Sequence, residues 1–357
     1  MTMTVDKTDQ AKNGGAARPY PPSWADRHKV WVTRLPGPSW LYYLGLGLAL
    51  IALQAAILWA EGAYPVGTLV PTHVFIAAMM PLFLALCHFL DDRAAAAMAT
   101  LRPALTTSDE QYNRLRYQLT TMPARPALLV SLGGLAFILI MNAITGTPGA
   151  FGALAGFPLS NVMIRSMYVV VWWFIAVFLY HTVHQLRTIH LVYTQHTRVN
   201  LFRMRPLYGL SSLTALTGAS LAGITYGWMA INPGLLGEPV AIAIVLPITI
   251  LALVTFVWPL LGIHRLLVEE KGRLTDECSI RLEATLAELH QRVDGGALTA
   301  MDDLNKTITS LELELNLLEK VPTWPWRSET VRLLLTALAL PLGLWLVQYI
   351  LQQLMGP

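Results

Sequence analysis

Charge is what this sequence has least of. Asp, Glu, Lys and Arg together make up 13% of 357 residues, while 54% belong to the hydrophobic set and the mean hydropathy is +0.49. A soluble domain carries about 25% charge, so the composition argues against a soluble globular protein. Two cysteines, Cys87 and Cys278, cannot build a disulfide framework. One lies in an apolar run and the other in a charged segment, which argues against a mutual bridge. The net charge of +3 is too small for a nucleic-acid-binding surface. All six lysines fall outside the apolar runs, which excludes a retinal Schiff base in the membrane, and no run holds a central Asp or Glu, which argues against a carboxylate-coupled carrier. Phosphate-loop, kinase and nucleophile-elbow motifs are absent, and no inverted repeat relates the first three runs to the next three.

What is present is a series of apolar stretches. A helix needs about 20 apolar residues to cross the hydrocarbon core, and seven stretches qualify: 40–60, 72–90, 127–145, 163–181, 207–231, 240–263 and 331–351. Pro81 in the second is tolerable because neighbouring helices can satisfy the freed backbone. The expectation is an all-α polytopic membrane protein with seven transmembrane helices and no cleavable leader. Placing the N-terminus in the cytoplasm puts 23 of the 25 Lys and Arg residues on that side, and the opposite loops at 61–71, 146–161 and 232–238 carry none. The positive-inside rule therefore predicts a cytoplasmic N-terminus and an external C-terminus. Arg far outnumbers Lys, and alanine is abundant, which points to the inner membrane of a bacterium.

Four segments follow: a polar, partly disordered stretch at 1–38; helices one to six at 39–262; a cytoplasmic antiparallel helical hairpin at 263–327; and helix seven with a short external tail at 328–357. The fourth span runs on from 161 to 205 without Gly or Pro, about 65 Å of helix, so 183–205 should project as a rod. In the hairpin, Asp294-Gly295-Gly296 marks the turn. Met301, Leu304, Ile308, Leu311, Leu315 and Leu318 form a heptad seam, matched by Leu282, Leu286, Leu289 and Val293 on the outgoing helix. The seam could close within one chain, between subunits, or both. Trp324 and Trp326 suit an interfacial collar.

The polar residues near the spans divide into four groups. His88, His181, His184 and His264 fall near the cytoplasmic ends of spans two, four and six, with Asp91 and Asp92 just past His88. Imidazoles and a carboxylate could hold zinc or iron, with Asp91 as the carboxylate, or sense pH. The plainer reading is interfacial histidines bonded to headgroups or neighbouring helices, since no His-Glu-x-x-His or paired-Cys motif accompanies them, and no cofactor is expected. Arg165, alone near the outer face, could ring the mouth of an oligomeric pore, snorkel to headgroups, or pair with Glu61 or Glu238. Ser211, Ala215, Ala219, Gly223 and Gly227 form a small-residue stripe suited to close helix packing. Thr336, Ala339 and Gly343, with Gln348 and Gln352 beyond them, give the last span a small and polar face that could line a pore or pack on the fifth span.

The extended fourth span, the hairpin between spans six and seven, and the short external C-terminus resemble the plan of the insect odorant and gustatory receptors, in topology rather than in any shared motif. That resemblance implies a tetrameric ion channel with a cytoplasmic helical anchor and a pore lined by the last span. The expected function is a homo-oligomeric channel, with tetramerisation of like chains, contact with membrane lipids and a permeant ion as its partners. The alternatives are a membrane sensor or scaffold acting through its cytoplasmic helices, and a metal-dependent membrane enzyme using the interfacial histidines.

Overall fold

A computed structural model describes residues 18–145, 154, 156–232, 249–296 and 301–332, together with 335, 336, 339 and 343. Every named element among them is a helix: α1 (Trp24–Thr33), α2 (Ser39–Ala60), α3 (Pro71–Leu101), α4 (Asp109–Thr120), α5 (Ala124–Thr145), α6 (Pro158–His196), α7 (Tyr208–Ile231), α8 (Leu260–Asp294) and α9 (Met301–Lys320). Two 3-10 turns, at Arg102–Ala104 and Arg205–Leu207, join α3 and α7 to their loops. Among the described residues, five helical segments are long and apolar enough to cross a membrane: Ser39–Ala60, Pro71–Ala104, Pro158–His196, Arg205–Ile231 and Thr249–Asp294. The described apolar part of α5, Ala124–Ile140, is shorter. Residues 240–248 and most of the expected last span lie outside the described residues.

Local chemistry sets where these helices start. Ser23 and Asp26 make a reciprocal capping box at the head of α1, satisfying backbone N–H groups that the first turn leaves open. Pro71 and Pro158 occupy first-turn positions of α3 and α6, where the missing N–H costs nothing. Ser108 caps α4 by accepting from the Gln111 N–H.

The centre of the bundle is α3, which packs against α2, α4, α6 and α7. Its seam of Leu90, Ala94, Ala97, Met98 and Leu101 is buried, and the i, i+4, i+7/8, i+11 spacing explains why one face can be sealed. Small residues let the neighbours approach. Gly47 of α2 lies beside Pro81, 3.4 Å from where its Cβ would be, so the ring that breaks a backbone bond sits against a helix without a side chain. A Cβ on Gly209 would stand 3.2–3.4 Å from atoms of Ala97.

The fourth span departs from expectation. Its helix ends at His196, and the backbone is extended at Thr197. Residues 196–198 then pair with the loop after α3, through Thr106 N to His196 O at 3.0 Å and Arg198 N to Ala104 O at 2.8 Å. The distal turns are no free rod either: Gln185, Leu186, Ile189, Val192 and Tyr193 are buried, in contact with α3, α4 and α8. The Tyr193 hydroxyl donates to the Leu207 carbonyl at 2.6 Å.

Past the turn at Trp258–Pro259, α8 runs outward and α9 returns antiparallel along it. Cys278 Sγ contacts the Leu311 carbonyl at 3.5 Å, and Lys271 donates to Glu319 O and Val321 O. Leu304, Leu311 and Leu318 are buried in this seam. On α8, however, Cys278 faces the partner helix, while Leu286 and Val293 are exposed. Gly296 at φ 68° makes the turn possible.

Replacing Gly209 with Val forces methyl groups into the backbone of α3. The expected cost is about 1–3 kcal/mol, read as a lower melting temperature of the purified protein, with Gly223→Ala, which meets open space, as the unaffected control.

Candidate functional site

The densest polar arrangement is buried where α1, α2, α3, α4 and α6 converge. Asp91 of α3, 3% exposed, binds with both oxygens. Oδ2 receives the Lys29 ammonium from α1 at 2.6 Å, and Oδ1 faces His181 Nε2 of α6 at 2.9 Å. A carboxylate in this setting is acceptor only, so the imidazole is assigned its proton on Nε2. Nδ1 of the same ring is buried without a partner. Beside this triad, the His88 ring lies 3.1 Å from the Tyr43 hydroxyl through Nδ1 and 3.6 Å from Asp92 through Nε2. Asp26 accepts from Ser23 Oγ at 2.6 Å and from Met122 N at 2.9 Å.

The same node closes the C-terminus of α4. A helix leaves its last four carbonyls unsatisfied. Here Gln118 O faces His184 Nε2 at 2.9 Å, Leu119 O receives Gln185 Nε2 at 3.5 Å, Thr120 O receives Lys29 Nζ at 3.0 Å, and Thr121 O receives the Tyr20 hydroxyl at 2.8 Å. Each acceptor therefore has a side-chain donor from α6 or the N-terminal segment, and a cation stands at the negative end of the helix dipole. On α1, burial pulls the Lys29 ammonium down, but Asp91, Asp26 and Asp92 together hold its pKa above the ordinary value. Burial pushes the Asp26 carboxyl up, against the Ser23 hydroxyl and Lys29.

Of the candidate metal ligands, the structure brings His88, Asp91 and His181 together, with His184 at the edge of the same node and His264 elsewhere. His184 serves the α4 terminus, and His264 faces the Thr323 carbonyl at 2.9 Å and stacks on Trp324 at 3.9 Å. Among the described residues no three His, Cys, Asp or Glu side chains form a group that could hold a metal ion. Asp91 is occupied on both oxygens, and the adjoining space is only about 10 Å³, about what a single water needs.

Arg165 is exposed and donates from Nε to Asn161 Oδ1 at 2.5 Å. Glu61 does not pair with it. Its carboxylate caps the start of α6, accepting from Leu159 N at 2.9 Å and Ser160 N at 2.6 Å. In the α7 stripe, Ser211 and Ala215 are buried and Ala219 half-buried. A Cβ on Gly227 would meet the Phe75 ring at 3.2 Å, and one on Gly223 would meet nothing within 4 Å. Thr336 and Gly343 are exposed, while Gln348 and Gln352 lie outside the described residues.

No family model, curated protein or solved structure matches the chain. The resemblance to the odorant and gustatory receptors therefore remains an expectation drawn from the order of apolar runs in the sequence.

Sequence reasoning passed over Lys29, Asp26, Tyr20 and Tyr43 because they sit in or beside a polar segment read as an appendage. One clue was legible: Ser23-x-x-Asp26 before Trp24–Thr33 is a helix-start pattern.

Lys29→Met strands a buried carboxylate and should destabilise the protein by about 3–5 kcal/mol, whereas Lys29→Met with Asp91→Leu should recover much of the loss; chemical denaturation of the three forms compares them. Because the folded-state pKa of Lys29 is raised, its contribution is complete below the ordinary lysine range, about 10.4, and is lost as pH rises through the folded value. Melting temperatures between pH 8 and 12 should fall more steeply for the wild type than for the double variant.

Proposed function

We propose that this chain is one subunit of a homo-oligomeric membrane channel whose pore is lined in part by the last helix. The observation that carries this reading is the state of that helix's small face. Thr336, Ala339 and Gly343 fall within an arc of about 60° at 100° per residue, and all three are exposed. At Gly343 a Cβ would have nothing within 4 Å, so the described chain does not use this face for packing on α7. A small, partly polar face at span depth suits water or another copy of the chain beside it. The α1–α4 node and the hairpin then serve as the rigid frame against which the last helix is held. On this reading Arg165 stands near the outer mouth, on the first turns of α6.

A second reading draws on the hairpin. Leu286 and Val293 of α8, with Leu313 and Leu317 of α9, are apolar and exposed, which suits a sensor or scaffold that docks a partner there. It predicts no flux.

The channel reading is tested by ion flux from liposomes containing the full-length protein. Both native cysteines are buried, so Thr336→Cys introduces the accessible thiol. A charged methanethiosulfonate reagent should block flux through Thr336→Cys and leave the wild type unchanged. Absence of flux in a folded, reconstituted preparation would remove the channel reading and favour the second.

A further inference from the structure

Between α6 and α8 lies a cleft of about 370 Å³ lined by His190 and Thr194 on one side and by Trp258, Arg265, Leu266 and Glu269 on the other, a volume within the range of small-molecule sites. Its walls are built closely. The His190 ring lies parallel to Trp258, with centroids 5.6 Å apart and an interplanar angle of 7°. The helices meet at Gly262, where a Cβ would run into Thr194 and stand 3.3 Å from His190 Cε1. The Thr194 hydroxyl is spent on the His190 carbonyl at 2.8 Å, but three other polar side chains are uncommitted. His190 Nδ1 is buried with no partner, and neither Arg265 nor Glu269 makes a hydrogen bond or ion pair among the described residues.

The cleft also sits at a boundary. Residues 249–263 of the α8 segment carry no charge, and charged residues begin at Arg265. On α6 no Asp, Glu, Lys or Arg occurs from 166 to 186, and Arg187 is the first. The cleft therefore spans the level at which hydrocarbon gives way to headgroups. Arg265 and Glu269 share one face of α8, with Cβ atoms about 5–6 Å apart at i, i+4 spacing.

We propose that this cleft binds a membrane phospholipid whose headgroup bears both a phosphate and a primary ammonium, the phosphatidylethanolamine class. Arg265 and the imidazole of His190 take the phosphate, Glu269 takes the ammonium, and Trp258 and Leu266 cover the glycerol and first methylenes. The Glu269 carboxylate decides against a purely anionic lipid, whose headgroup offers it no cation. The uncharged run below the cleft decides for a lipid over a soluble headgroup, because acyl chains then lie along apolar helix.

The test reconstitutes the full-length chain in nanodiscs of equimolar phosphatidylethanolamine, phosphatidylcholine and phosphatidylglycerol and counts retained lipids by native mass spectrometry. Wild type should retain phosphatidylethanolamine over phosphatidylglycerol by about tenfold, the scale of one charge-assisted hydrogen bond. Glu269→Gln should bring that ratio near one, and Arg265→Gln should lose retained phospholipid of every class. Both positions are exposed, and circular dichroism identifies a variant that fails to fold, in which case Glu269→Ala or Arg265→Ala replaces it. A preference for phosphatidylglycerol, an unchanged ratio in folded Glu269→Gln, or no retained lipid overturns the proposal. Displacement of the lipid by millimolar soluble glycerophosphoethanolamine would overturn its assignment to a membrane lipid.

Discussion

An aspartate that is buried and charged must be answered from every side, and the arrangement around Asp91 does much to fix this molecule. Removing a carboxylate from water costs several kcal/mol. The cost is offset only because α1 delivers an ammonium to one oxygen and α6 an imidazole to the other. Lys29 also closes the Thr120 carbonyl, so the charge that neutralises Asp91 completes the end of α4. Four helices are thereby held in one relative register by three side chains, Asp91, Lys29 and His181. Such groups add less to stability than apolar packing of equal volume would, but they are unforgiving of displacement, since a shift of an ångström or two leaves a charge unpaired.

Away from this node the bundle is held by shape. Gly47 beside Pro81, Gly209 beside Ala97 and Gly262 beside Thr194 and His190 mark three helix crossings where a missing Cβ sets the approach. Within a bilayer, apolar surface gains little from being buried against another helix, so close contact and hydrogen bonding carry association. At the other end of the bundle, Glu61 caps α6, and Thr72 Oγ1 bonds Asn232 Oδ1 at 3.1 Å. Polar contacts at both ends and small-residue contacts between them give a frame in which α2 and α6 keep much of their outer surface uncovered. That is the distribution expected where lipid or like chains provide the remaining contacts.

The aromatic residues at the base of the hairpin form a ladder. Phe256, Trp326, Trp324 and His264 stack in turn, with centroids 5.3, 4.3 and 3.9 Å apart. The Trp-Pro-Trp sequence, which composition alone marks as an interfacial collar, thus ties the segment before the last helix to the segment that opens α8. Arg327 extends the contact by lying over the Tyr208 ring at 5.3 Å. The base of the hairpin is in this way in direct contact with the start of the last helix and with α7.

How much of this could be read beforehand depends on the range of the interaction. Apolar runs marked α2, α3, α6 and α7, because hydrocarbon thickness fixes the length of a span and composition reports it directly. The α9 heptad correctly picked out Leu304, Leu311 and Leu318, since a seam depends only on 3.5-residue spacing. On α8 the same spacing held only in part: Leu282 and Leu289 are half-buried, whereas Leu286 and Val293 are exposed and the buried position against α9 is Cys278. The length of α6 was misjudged for a related reason. Absence of Gly and Pro permits a helix to continue to Arg205, but pairing of Arg198 and His196 with the α3 loop ends it at His196. His88, Asp91 and His181 could be grouped by depth along their helices. Their roles could not, because Lys29, sixty-two residues away, turns a possible ligand set into an ion triad. Sequence by itself determined an all-helical chain with spans suited to a membrane, through local composition and periodicity. Tertiary structure alone decided which polar groups are partnered, which small faces stay uncovered and where a cleft opens, because those depend on residues brought together from distant parts of the chain.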